Sequence, residues 1–165
     1  MDEMSTEGGA RSDDGRDETP QEKADRNWNE LLQELRVTQT GVQILTGFLL
    51  TLPFQQRFER LDSFEVGTFL VVVIVAAIAT GLFIAPVSLH RALFGRRRKD
   101  ETVAVAHRLA QLGLGALLLA VAGAVLLVFS VVVGRPEAVV VAAAVLVGLV
   151  GLWGVLPLVV RARKG

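Results

Sequence analysis

Three long runs of apolar residues limit what this chain can fold into. Val66 to Leu89 and Ala138 to Val160 carry no charge, and the most polar member of Leu109 to Val133 is Gln111. About 20 apolar residues suffice for a helix to cross the hydrocarbon core of a bilayer, and each run is longer than that. The runs are rich in Val, Ile and Ala, which also suit buried strands, but strands extend over only about 4–8 residues. The runs are read as transmembrane helices, and the fold class as all-α.

A fourth segment is less plain. "ELRVTQTGVQILTGFLLTLPFQQRF", Glu34 to Phe58, is apolar but carries Arg36, Gln39, Gln43 and several threonines. At 100° per residue, Gln39, Thr40, Gln43 and Gly47 fall within about 60° of Arg36, with Leu45, Phe48, Leu49 and Leu52 on the other side. Polar groups in a span usually face a bundle interior or a water-filled cavity. The segment is therefore expected to be a first span with Gln39, Gln43 and Gly47 as a helix-packing stripe, and Leu45, Phe48 and Leu49 turned outward. Pro53 ends it, because proline lacks an N–H and disfavours helix at the residue before it. The expected architecture is a four-helix transmembrane bundle with spans at about 35–52, 66–89, 109–133 and 138–160. Small residues at helical spacing promise close packing. They are Ala106, Ala110, Gly113, Ala120 and Ala124 on the third span, Ala77 and Gly81 on the second, and Ala144, Gly148 and Gly151 on the fourth. The short turn Gly134 to Glu137 predicts a tight hairpin of the last two spans.

Charge divides the chain. Residues 1–36 hold five Lys/Arg and eleven Asp/Glu, a net of −6; the rest holds twelve and six, a net of +6. Residues 1–26 have almost no large apolar side chains to offset the entropy of ordering, and are read as a disordered acidic cytoplasmic tail. Residues 27–165 form the transmembrane domain, with a capping-box-like start at Asn27 and Glu30. The acidic N-terminus lacks the pattern of a cleaved signal peptide. Lys23, Arg26, Arg36, Arg91, Arg96, Arg97, Arg98, Lys99, Arg108, Arg161, Arg163 and Lys164 would lie on one side of four spans, against Arg57, Arg60 and Arg135 on the other. Basic residues mark the cytoplasmic side, so a multi-pass plasma-membrane protein with both termini cytoplasmic is expected.

Chemistry-bearing residues gather at the cytoplasmic ends. Glu30, Glu34, Arg36, His90, Arg91, His107 and Arg108 are expected to form an inner-leaflet polar cluster that holds the helices together. Arg96, Arg97, Arg98 and Lys99 form a polybasic loop; each basic residue near anionic lipid contributes about 1 kcal/mol. The same loop serves as an orientation signal, and lipid contact follows either way. There is no cysteine, and two histidines fall short of the three or four ligands of a zinc site, so no metal or cofactor is expected. No span carries a carboxylate or a histidine, which argues against an enzyme and against a proton-coupled carrier. The expected role is a non-enzymatic structural or accessory protein whose partners are membrane lipids, anionic ones among them, a second copy or another membrane protein, and not nucleic acid. The alternative is a small oligomeric channel or transporter lined by the Gln/Thr stripe of the first span.

Three blocks carry a resemblance: the Glu34–Phe58 segment, "IAPVSLHRALF" leaving the second span and "AHRLAQLG" entering the third. Together they resemble a domain-of-unknown-function family of bacterial, mainly actinobacterial, four-helix integral membrane proteins, over about residues 25–162. The resemblance implies the four-span architecture in a bacterial cell membrane. It implies no activity, substrate or cofactor.

Overall fold

The computed structural model describes residues 19–93 and 99–163. Among them all regular structure is helical. Four long helices carry it: α1 (Pro20–Thr51), α2 (Ser63–Leu93), α3 (Lys99–Val132) and α4 (Arg135–Val150). Two 3-10 turns, Leu52–Phe54 and Gln56–Arg60, join α1 to α2, and α4 continues through a π turn at Gly151–Val155 into α5 (Leu156–Ala162).

Three segments are long and apolar enough to cross a membrane: Ser63–Leu89, Val105–Val132 and Arg135–Val160, each with a mean hydropathy of 2.7. Only 28%, 22% and 6% of their most apolar windows are buried within the chain, so most of this apolar surface needs a non-aqueous surrounding. That fits a membrane protein. By the same measure α1 is not a span; Arg36, Gln39 and Gln43 dilute its hydropathy.

α1 begins earlier than the sequence suggests. Its N-cap is Thr19, not Asn27. The Thr19 hydroxyl accepts from the Glu22 amide at 3.3 Å, and the Glu22 carboxylate accepts from the Thr19 amide at 2.8 Å. Pro20 occupies the first helical position, where its missing N–H costs nothing. A reciprocal cap and an Arg26–Glu30 pair at 3.3 Å, one helical turn apart, carry the helix through a stretch with little apolar surface. The expected disordered tail therefore does not reach Arg26; the part of it before Thr19 lies outside the described residues.

The helices pack antiparallel in chain order. Leu49 of α1 joins Phe69, Val72 and Ala76 of α2 and Ala120 and Leu127 of α3 in one core cluster. Leu35 and Val42 join Ala79 and Phe83 in a second, with Ala110, Ala116 and Leu117 of α3 against it. The α2–α3 seam is the tightest. A Cβ on Gly113 would lie 2.8 Å from Phe83 Cε1, and one on Gly123 2.5 Å from Val72 Cγ2, so both glycines are notches filled by α2 side chains. Ala106, Gly113 and Ala120 are buried, as the small-residue face of the third span predicts. The other two small-residue faces are corrected. Ala77, Gly81, Ala144 and Gly148 are exposed, and nothing lies within 4 Å of a Cβ placed on Gly81, Gly148 or Gly151. α2 instead turns Val72, Ala79 and Phe83 inward, and α4 meets α3 through Ala138 and Ala142. Gly134, at φ +112°, makes the turn between α3 and α4, a conformation that favours glycine.

Candidate functional site

α1 presents two faces that differ in chemistry. Trp28, Leu35, Val42 and Leu49, spaced by seven, are buried. Leu31, Leu45 and Leu52 pack beside them, so the heptad face of α1 is the one laid on α2 and α3. The polar face points away from the rest of the chain. Arg36, Thr40, Gln43 and Gly47 are exposed, Gln39 is half-buried, and no atom lies within 4 Å of a Cβ on Gly47. The expected packing stripe of Gln39, Gln43 and Gly47 is thus not the seam within the chain. Phe48 is 71% exposed, as expected, but its neighbour Leu49 is 4% exposed, and Leu45 packs inward. The cause lies in the surfaces that α1 meets: Phe69, Val72, Ala79 and Phe83 offer no hydrogen-bonding group, so an apolar face fits them and an amide would be stranded.

The threonines of α1 satisfy themselves. Thr38, Thr40 and Thr46 donate to the carbonyls of Glu34, Arg36 and Val42 at 3.0, 3.0 and 2.8 Å, and Thr51 donates to Phe48 O at 2.7 Å. This back-bonding lets a hydroxyl sit in an apolar surrounding without another partner. Arg36, Gln39 and Gln43 have no such recourse, and their side chains make no hydrogen bond or ion pair among the described residues.

Towards the end of the bundle that holds the start of α1, Glu30, Glu34, Arg36, His107 and Arg108 are exposed. Glu30 pairs with Arg26, not with Arg36, and no ion pair joins the expected cluster among the described residues. His90 and Arg91 lie in the last turns of α2, and their side chains fall outside the described residues. So do Arg96, Arg97 and Arg98 and the side chain of Lys99, the first residue of α3. Among the described residues no three His, Asp or Glu side chains gather as a metal site would require.

A polar assembly that the sequence reading missed lies at the opposite end. Asp62 and Glu65 cap α2 reciprocally: the Glu65 amide donates to Asp62 Oδ1 at 2.9 Å, and the Asp62 amide donates to Glu65 Oε2 at 3.0 Å. Arg135, at the start of α4, donates to Asp62 Oδ2 at 2.8 Å and lies 4.2 Å from the centre of the Phe64 ring. The Glu65 amide, with Arg135 adding to it, holds the Asp62 carboxyl below the usual aspartate range. Arg57 donates to Val131 O at 3.2 Å, closing the C-terminal end of α3. Arg57, Arg60, Leu61, Glu65 and Val131 line a half-open cavity of about 250 Å³. Beside it, Phe58 meets Phe69 edge-on at 5.1 Å. The signal was present in "DSFE", Asp62 to Glu65, which has the spacing of a capping box. An apolar groove of about 530 Å³ lies lower on the α2–α3 seam, walled by Phe64, Val71, Val75, Leu119, Gly123 and Leu126.

The site thus consists of a polar helix face without a partner among the described residues, and a braced end at the α1–α2 connection. No curated protein and no solved structure matches the chain. The sequence profile of one family matches residues 17–157, from just before the α1 cap to just past the π turn, and on that match the chain belongs to the family of unknown function DUF6328.

Proposed function

We propose that this chain is a four-span integral membrane protein of a bacterial plasma membrane, with both termini cytoplasmic, and that it serves as a non-enzymatic accessory protein engaging lipid and a membrane partner. The packing of α1 carries the reading. Leu49 shares a cluster with Phe69, and Leu35 with Phe83, so α1 runs antiparallel beside α2 for about 21 Å. A helix laid along the middle of a spanning helix occupies the same depth, whatever its own hydropathy. Its polar outer face then enters hydrocarbon, where an uncovered amide is costly, and this favours a protein partner over lipid there. The sequence supports a role without catalysis: the three apolar runs hold no carboxylate and no histidine. The polybasic loop supports contact with anionic headgroups.

The test is native mass spectrometry of the full chain captured in mild detergent, beside a variant with Arg96, Arg97, Arg98 and Lys99 all changed to glutamine. The expected result is retained phosphatidylglycerol or cardiolipin on the wild type, less on the variant, and a bound protein partner or second copy on both. Recovery of a bare monomer, free of lipid and protein, overturns the accessory reading.

A further inference from the structure

The outer face of α1 has a register of its own. Asn29, Gln33, Arg36, Thr40, Gln43, Gly47 and Leu50 are all exposed, and their separations alternate 4, 3, 4, 3, 4, 3. That is the spacing of a coiled-coil seam, repeated on the side of α1 opposite the seam it already uses. Arg36, Gln39 and Gln43 lack intrachain partners among the described residues, and the threonines do not need any. Val42 lies in the cluster of Ala79, and the middle of the span Ser63–Leu89 is Ala76. The neighbouring Gln43 therefore sits within about 5 Å of mid-membrane.

We infer that this face is a self-association surface, and that its occupant is the same face of a second copy of the chain, packed in parallel about a two-fold axis normal to the membrane. The inference rests on the reading that α1 crosses the membrane. Two copies inserted with one orientation hold their α1 helices parallel, so each seam residue meets its own equivalent at the same depth. A primary amide suits that symmetry, since it carries both donor and acceptor and pairs with an identical amide. Gln43 thereby gains the partner that neither lipid nor the rest of its own chain supplies. One turn further, the open notch at Gly47 lets the two backbones approach. Arg36 is an unlike neighbour for its own copy, but it lies towards the cytoplasmic end, where its long stem carries the guanidinium out to headgroup phosphates.

The chain has no cysteine, so single cysteines report contacts without background. Full-length protein in native membranes is oxidised after substitution of Thr40, Gln43 or Gly47 on the seam, or of Val37 or Phe48 on the flank. Seam positions are expected to give disulfide dimers and flank positions little; a flat pattern, or a maximum at Val37 or Phe48, overturns the inference. Gly47 is exposed, and a Cβ placed there meets no packed atom within 4 Å, so Gly47→Leu points its side chain away from the intrachain core. It should leave helicity and monomer melting unchanged while weakening dimerisation roughly tenfold, about 1.4 kcal/mol. An unchanged dimer fraction overturns the inference. A water-soluble maleimide separates the two readings: if it readily modifies Gln43→Cys in membranes, α1 does not cross and the four-span reading fails. Protection of that cysteine combined with flat cross-linking leaves the span in place and removes the dimer.

Discussion

Gly113 and Gly123 set how closely α2 and α3 approach, and they show what one methyl group means in this molecule. The Cβ of Gly123→Ala would stand 2.5 Å from a methyl group of Val72, a β-branched side chain with little freedom to retreat. Overpacking of this kind costs roughly 1–3 kcal/mol, so Gly123→Ala should lower the melting temperature in detergent. Gly148→Ala is the control, since nothing lies within 4 Å of its new methyl group; melting should hold or rise, because alanine favours a helix interior by about 1 kcal/mol over glycine. At the end of the bundle formed by the α1–α2 connection, Asp62 is the residue to titrate. Its carboxyl is held low by the Glu65 amide and, next, by Arg135. A depressed folded pKa means that the stabilisation is complete above the unfolded value and disappears as pH falls through the folded one. The wild type should therefore lose more stability between about pH 7 and about pH 3 than Asp62→Asn does, with the two melting curves converging in acid. Asp62 is solvent-exposed, so the gap is small; equal acid sensitivity of the two proteins would remove this role.

At the scale of elements, length and hydropathy made α2, α3 and α4 legible, and "LP" at Leu52–Pro53 marked the end of α1. The inward face of α1 was not legible by the rule that polar residues in a span turn to the interior. That rule presumes an interior with polar groups to offer. Here the interior is Phe69, Val72, Ala79 and Phe83, and the heptad spacing of Leu35, Val42 and Leu49 was the better guide. The same limit explains α4. Its small residues suggested a seam, but in the chain it packs on α3 alone, and the notch at Gly148 stays open. The α1 cap was legible in "TPQE", yet a Thr-x-x-Glu spacing is common, and an acidic, apolar-poor stretch outweighed it. Adjacent residues of α1 test the corrected rotation. Leu49→Ala removes a buried side chain from the cluster of Phe69 and Val72, and should cost about 2 kcal/mol or more. Phe48→Ala deletes a larger side chain from an exposed position and should stay within about 0.5 kcal/mol. If Phe48→Ala proves the more harmful, α1 is rotated relative to this structure.

For the whole molecule, the helix packing and the charge pattern constrain each other. Antiparallel neighbours in chain order place the start of α1, the end of α2, the start of α3 and the end of α5 on one side. They place the Leu52–Leu61 connection and the Gly134 turn on the other. Among the described residues, Arg57, Arg60 and Arg135 lie on this second side. On the second side these three are also engaged locally, with Arg57 on Val131 O, Arg135 on Asp62 and Arg60 at the small cavity. Arg57 and Arg135 thus brace helix ends on that side. Single cysteines at Glu22, Gln56, Arg98 and Gly165, labelled in intact cells with an impermeant reagent, read this arrangement directly. Gln56 alone should react, and the other three only after the membrane is opened. If Glu22 and Gln56 both react in intact cells, α1 lies outside the hydrocarbon, and its packing along α2 would have to be re-formed on insertion. If Arg98 reacts, the orientation is reversed, and the basic residues are not what sets it.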